Sequence, residues 1–305
     1  MTPIQDLDPL PLAREDVVAS LQAALEEDLG RGLGDGPAAA LAGDRTTWAA
    51  VPAGRRARGR LRAKAAGVLA GIDVFRWTFE RLDPGVACEA CLADGDAVAD
   101  GDEVAVVEGE ARALLTAERT ALNFVQRLSG IATLTARFVA AAGGRARILD
   151  TRKTTPGLRL FEKYAVRCGG GENHRFGLHD EAMVKDNHID LAGRSIAQVV
   201  AAIRDGNGAA FRVTVEARDE AEALAAAAAG ADVVLLDNMA PGELERLVPL
   251  VRSAAERAVE IEASGGVDLD TVERIARTGV DRISVGALTH SAPALDLSLA
   301  LEVLA

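Results

Sequence analysis

From residue 147 onward the chain alternates short β-rich runs with helical stretches, and that rhythm limits the folds open to it. The runs fall at 147–151, 182–185, 211–216, 232–237, 259–263 and 281–285. Helical patterns fill the gaps at 158–168, 191–204, 218–229, 241–256 and 268–278. Strands separated by helices pair in parallel, and this many units predict an α/β barrel. The Ala-rich stretch AEALAAAAAGA at 221–231 is one of those helices, stopped by Gly230. Before about residue 115 the pattern differs. Residues 14–29 read as a helix ending at Gly30, and 31–43 (RGLGDGPAAALAG) as a flexible loop or insertion. Residues 57–70 and 86–108 alternate apolar and polar positions between Gly–Asp turns, as in a small sheet. A long amphipathic helix over 111–142 carries Arg119, Asn123 and Gln126.

Each barrel strand ends in a residue able to do chemistry. In order these are Asp150 and Arg152, Lys185, Glu216, Asp237, Ser264 with Gly265 and Gly266, and Gly286. Any one of them alone reads as a cap for the next helix. Six in succession point to convergence, because a barrel builds its site at the C-terminal ends of its strands. Glu216 and Asp237 form a carboxylate pair suited to Mg²⁺ or to sugar hydroxyls. Ser264-Gly265-Gly266 and Gly286-Ala287 are small turns whose exposed backbone can cradle a phosphate.

The cations of this chain are unevenly placed. Only Lys64, Lys153, Lys163 and Lys185 are lysines among 34 basic residues. Residues 150–188 hold three of these four and three of the four histidines. Arg152-Lys153 and His174-Arg175, followed by Lys185, sit amid Gly and Thr rather than along a helical stripe. That arrangement implies a pocket for a small, densely anionic ligand more than a solvated basic face. The net charge of −12 makes the cluster informative, since it is not a by-product of composition. The same charge argues against nucleic acid, whose backbone demands a basic footprint.

Other classes fall away quickly. No apolar run is long enough for a bilayer, and the N-terminus lacks a signal pattern, so a soluble cytoplasmic protein is expected. Cys88-x-x-Cys91 has no second pair to complete a zinc site, and Cys88, Cys91 and Cys168 read as reduced thiols. His174, His179 and His188 lack a zinc-binding spacing. Lys185 on a barrel strand leaves a Schiff-base lyase open as a rival. The carboxylate pair for Mg²⁺ and the phosphate cradle are what phosphoribosyl pyrophosphate would need, and a non-catalytic sensor of that ligand is a second rival.

LDTRKTTPGLR, CGGGENHRFGLHDEAMVKDNHI, VLLDNM, IEASGGV and ISVGALTHS together resemble the quinolinate phosphoribosyltransferases, also called nicotinate-nucleotide pyrophosphorylases (carboxylating). RTALNFVQRLSGIAT (119–133), EDLG (27–30) and GDRTT (43–47) extend the resemblance to nearly the whole chain. It implies an N-terminal α/β sandwich-like domain over 1–128 and an incomplete (β/α) barrel over 129–289, with residues 290–305 able to pack on the first domain. It also implies an enzyme that moves phosphoribosyl from phosphoribosyl pyrophosphate to quinolinate, with decarboxylation, using Mg²⁺. The assembly implied is a homodimer or dimer-based hexamer with shared sites. A ModD-like phosphoribosyltransferase with another acceptor is the alternative.

Carried over by the resemblance, Arg152 and Arg175 bind quinolinate, with Arg119 supplied by the neighbouring subunit. His174 and Lys185 lie beside the dicarboxylate and Lys153 near the phosphates. Glu216 and Asp237 meet ribose and Mg²⁺; Ser264, Gly265, Gly266 and Gly286 form the 5-phosphate loops; His290 and Lys64 approach the pyrophosphate across the interface. Lys153, Lys185, Glu216 and Asp237 are the expected catalytic set. Two features depart from the family pattern. Residues 31–42 are inserted between EDLG and GDRTT, and Thr214 stands where an acid is usual, which predicts weaker hold on the cosubstrate.

Overall fold

The computed structural model describes residues 15–30 and 41–304. Most of the expected insertion, residues 31–40, lies outside the described residues. The chain forms two compact units.

The first unit is built on β1 (Arg56–Ala63), β3 (Ala87–Ala90), β5 (Glu103–Glu110) and β12 (Leu297–Val303), antiparallel in the order β12-β1-β5-β3. The sequence RARGRLRA gives β1 two unlike faces because strand side chains alternate. Ala57, Gly59, Leu61 and Ala63 are buried, while Arg58 and Arg60 point outward and pair with Glu108 and Glu103 on β5. These pairs are partly exposed and contribute little to stability. The apolar face receives α3 (Ile72–Leu82), on which Phe75 and Phe79 meet edge to face at 5.0 Å. An antiparallel pair of short strands, β2 (Gly67–Val68) and β4 (Ala97–Val98), and the helices α1 (Glu15–Leu29) and α2 (Arg45–Ala50) complete this half.

The second unit is a six-stranded, wholly parallel sheet. Its strands are β6 (Arg147–Leu149), β7 (Ala182–Val184), β8 (Val213–Ala217), β9 (Val233–Asp237), β10 (Glu260–Ser264) and β11 (Arg282–Ser284). The order is β6-β11-β10-β9-β8-β7, with β6 and β7 as edges, so the barrel is incomplete. Helices α7 (Ile196–Asn207), α8 (Glu220–Ala228), α9 (Pro241–Ala254) and α10 (Val272–Ala276) supply crossovers. Toward the helices the strands present Val215, Val234, Leu236, Ile261, Ala263 and Ile283, all buried. The opposite face carries Thr214, Glu216, Asp237, Glu262, Ser264, Arg282 and Ser284, matched by the pairing register. A parallel strand packed on both faces normally reads as continuously apolar. Here the alternation marks a polar barrel interior.

The two compact units are interleaved along the chain. The boundary falls after Leu134, inside α4 (Ala111–Ala142), and residues 155–170 and 292–304 group with the first unit. The reason is local packing around α5 (Arg159–Cys168). Phe161 lies 5.5 Å from Phe124, Glu162 accepts from Arg127 at 2.9 Å, and the Tyr164 hydroxyl donates to Asp94 at 2.7 Å. The helix expected in the barrel series over 158–168 is therefore present, but it belongs to the first unit's core.

Phe79→Ala should cost about 3–5 kcal/mol of stability, as is usual on truncating a buried aromatic. The loss would be read as a lower denaturation midpoint for the first unit, and an unchanged midpoint would contradict this account of the core.

Candidate active site

The inner ends of the parallel strands enclose a cavity of about 430 Å³. Arg152, Lys153, His174, Arg175, Lys185, Glu216, Asp237, Ser264, Gly265 and Gly266 all line it, with Thr151, Met183, Leu235, Asn238, Glu262 and Ser284. Ten of the expected residues thus meet in one place. Arg175 and Arg152 are close enough to repel. Burial, and then the Arg152 guanidinium, push the Arg175 pKa below its ordinary value. Two forked cations held together in a cavity call for an anion between them.

The acidic side is tied to the basic side. Lys185 Nζ contacts Glu216 Oε2, with the Glu216 side chain largely buried. Asp237 accepts from the side chain of Asn238 at 2.6 Å. Asn238 takes φ 56°, and its backbone N–H donates to the Ser264 carbonyl at 2.8 Å. That turn presses on Gly265, where an added Cβ would stand 2.2 Å from Asn238 Oδ1 and where φ is +90°. Only glycine satisfies both conditions.

Gly286 and His290 do not line the cavity, but they adjoin Lys153. A Cβ at Gly286 would lie 3.1 Å from His290 Nε2 and 3.2 Å from Lys153 Cδ. Thr289, on the short helix α11 (Ala287–His290), donates its hydroxyl to the Lys153 carbonyl at 2.7 Å and so fixes that turn. Arg119 and Lys64 belong to the first unit, exposed on α4 and just after β1. His188 has a structural role at the start of α6 (Asp186–Ala192), where its Nδ1 accepts the Lys185 N–H at 2.9 Å.

Sequence reasoning missed two residues of the cavity's floor, Glu262 and Arg282. Glu262 is fully buried and accepts from Arg282 Nε at 2.6 Å, while His174 Nε2 lies 3.4 Å from its other oxygen. Burial works against the Glu262 charge, yet the close approach of His174 and the Arg282 guanidinium outweighs it and holds the carboxyl down at about 2. Asp150, also fully buried, accepts the His174 backbone N–H at 2.9 Å and the Asn173 side chain at 2.6 Å. Thr214 does not reach the cavity: it is buried and its hydroxyl donates to Glu181. The alternation in EIEAS and RIS was the available signal for Glu262 and Arg282, since it sets them on the face of Ser264 and Ser284.

A second cavity, of about 530 Å³, lies within the first unit between α1, α4 and α5. Its larger size does not make it the anion site. Glu27 and Asp28 line it, and the guanidinium of its Arg127 is paired with Glu162. Among the described residues, no group of three or more His, Cys, Asp or Glu is placed to hold a metal ion. No helix there is long and apolar enough to cross a membrane.

Family models match most of the chain. Residues 44–129 match the quinolinate phosphoribosyl transferase N-terminal domain and 131–300 its C-terminal domain. The chain belongs to the quinolinate phosphoribosyltransferase family. Among relatives, a probable nicotinate-nucleotide pyrophosphorylase [carboxylating] of Bacillus subtilis is 44% identical over 238 residues, covering 78% of this chain and 81% of that one. A protein of the same description from Synechocystis is 42% identical over 282 residues, covering 92% and 90%. The solved structure of NadC from Streptococcus pyogenes superposes with a TM-score of 0.87 at 42% identity, over 97% of this chain and 99% of that one. The family fold of an N-terminal sheet domain and a partial parallel barrel is the one described above.

Two outcomes test this geometry. Gly265→Ala should lower stability by on the order of 1–3 kcal/mol, more than Gly266→Ala, because only the former also meets Asn238. Equal losses in chemical denaturation would contradict the close approach. The second concerns acid. The folded Glu262 value lies below its unfolded value of 4.5, so its stabilisation is complete above that pH and is lost as pH falls toward about 2. Glu262→Gln should therefore flatten stability against pH in that window; an unaltered slope would refute the assignment.

Proposed function

We propose that this chain transfers phosphoribosyl from phosphoribosyl pyrophosphate to quinolinate, releasing CO₂ and pyrophosphate and giving nicotinate mononucleotide for NAD biosynthesis. The observation that carries the reading is the meeting of Arg152, Lys153, Arg175 and Lys185 with the Glu216–Asp237 pair in one cavity of a family member. A flat dicarboxylate suits two guanidiniums that repel each other when nothing lies between them.

In this reading Arg152 and Arg175 grip the acceptor carboxylates, Lys185 and His174 flank them, and Arg119 arrives from a neighbouring subunit. Met183 and Leu235 offer apolar contact to a ring. Holding the pyridine nitrogen against ribose C1 makes the attack effectively intramolecular. No general base is needed, because the nitrogen lone pair carries no proton. Positive charge that develops on the ribose faces Glu216 and Asp237, while Lys153 and His290 neutralise the departing pyrophosphate. The Ser264-Gly265-Gly266 turn and Gly286 cradle the 5-phosphate. Once glycosylated, the ring nitrogen is cationic and accepts the electron pair freed as the 2-carboxylate leaves; a proton then replaces CO₂ on that carbon.

Glu216 and Asp237 suit Mg²⁺, a hard cation that takes one or two carboxylates and completes its shell from water and phosphate. When bound, the ion supplies charge neutralisation for pyrophosphate. The enzyme works in the cytoplasm as a homodimer or dimer-based hexamer. Cys88, Cys91 and Cys168 form no disulfide, which suits a reducing compartment. The Schiff-base reading is weaker, because a nucleophilic lysine needs an apolar or cationic neighbour and Lys185 is paired with Glu216. A ModD-like acceptor is not favoured by relatives of these descriptions.

Arg152→Ala should lower kcat/KM for quinolinate about tenfold to a hundredfold, the loss of one or two charge-assisted contacts, while leaving the unfolding midpoint in place. An unchanged kcat/KM would refute the clamp. Arg119→Ala and Glu216→Ala should each be inactive, yet a mixed dimer should recover one of its two sites. Failure to recover activity after verified subunit exchange would refute the shared site.

A further inference from the structure

The cavity floor contains a buried ion pair that the transfer chemistry does not require. Glu262 is 0% exposed and Arg282 5% exposed, with Nε to Oε2 at 2.6 Å. Such pairs are often matched or bettered in stability by apolar residues of similar volume, so stability alone does not account for one here. Its contacts lead upward to a single side chain. Glu262 Oε1, which makes no conventional hydrogen bond, faces His174 Nε2 at 3.4 Å. Arg282 Nη2 stands 3.5 Å from the same ring nitrogen.

The other His174 nitrogen is also committed. Nδ1 accepts the backbone N–H of Arg175 at 2.7 Å. An accepting Nδ1 carries no proton, so the ring proton sits on Nε2, which faces the Glu262 carboxylate. The His174 backbone is held as well, through its N–H to Asp150 at 2.9 Å. Arg175 is fixed further along by Nη1, which donates to the Glu181 carbonyl at 3.1 Å. The ring is therefore a strut between a buried ion pair and the main chain of a clamp arginine.

We propose that Glu262 and Arg282 are positioning residues: they lock His174 in its Nε2–H tautomer, and His174 in turn sets the backbone at Arg175 before the acceptor arrives. Arg282 orients the carboxylate, the carboxylate selects the tautomer, and the bare Nδ1 takes the Arg175 N–H. Preorganisation of this kind spares the ligand the cost of ordering its own clamp. The tautomer claim stands on geometry alone; its effect on substrate rests on the quinolinate reading above.

The test uses the full-length protein with ¹⁵N-labelled histidine, the His174 signals being assigned by their absence in His174→Asn. In the wild type, Nε2 should be the protonated nitrogen and Nδ1 the bare one; the reverse overturns the proposal whatever the enzyme does. In Glu262→Gln, Arg282 should claim the amide oxygen and leave the amide N–H₂ facing His174, so the single tautomer is lost. The KM for quinolinate should then rise about tenfold, the equivalent of one charge-assisted hydrogen bond, with the KM for phosphoribosyl pyrophosphate held within about twofold. In Glu262→Gln/Arg282→Met the amide is free to turn its oxygen to His174, and both the tautomer and the quinolinate KM should recover. This double variant also serves if the single one fails to fold. An unaltered tautomer in Glu262→Gln overturns the lock, and a lost tautomer with unaltered quinolinate KM overturns its role in the clamp. Absence of turnover in the wild type would sink the quinolinate reading alone, and the spectra would still decide the lock.

Discussion

Arg282 lies at the centre of the barrel's electrostatics. Its guanidinium reaches Glu262 at 2.6 Å and Glu260 at 3.4 Å, and Glu260 in turn binds Arg147 and Arg212. Charged side chains inside a parallel sheet are expensive unless each has a partner. These strands meet that condition by alternating acids and bases on neighbouring strands, so that β10 supplies the carboxylates and β11, β6 and the residue before β8 supply the guanidiniums. The apolar half of each strand faces the helices and provides the hydrophobic stabilisation. The polar half forms a continuous floor from the half-exposed Arg147 and Arg212 up to His174.

The floor explains how an acidic protein keeps a basic pocket. At a net charge of −12 the surrounding field favours cations in general, but the pocket needs specific ones in fixed positions. Arg152 and Arg175 are held against their mutual repulsion by backbone anchors: the Arg175 guanidinium to the Glu181 carbonyl, the Lys153 turn to Thr289. Lys185 is restrained by Glu216. Arg152–Arg175 repulsion gives the pocket a preference for an anionic guest. The tight Gly265–Asn238 turn aims backbone groups rather than charge at the opposite side of the site.

Much of this was legible in the sequence. The strand–helix rhythm located all six parallel strands, and the polar strand ends pointed to the residues that share the cavity, from Arg152 to Gly266. Long helix α4 was readable from its amphipathic period. What escaped was of two kinds. The segment around α5 followed the barrel rhythm in order but packs with the first unit, because Phe161, Glu162 and Tyr164 find partners there that are distant in sequence. Glu262 and Arg282 work through burial and tertiary pairing, and a lone Glu or Arg in a strand does not name its partner. Thr214 looked like a missing site acid; its hydroxyl is instead engaged by Glu181 away from the cavity.

The central claim is that this cationic pocket selects a pyridine dicarboxylate for phosphoribosyl transfer. Mass spectrometry of a reaction containing the protein, phosphoribosyl pyrophosphate, Mg²⁺ and either quinolinate or nicotinate tests it most directly. The account predicts nicotinate mononucleotide with release of CO₂ from quinolinate, and no product from nicotinate. Product from nicotinate, or from neither acceptor, would contradict it.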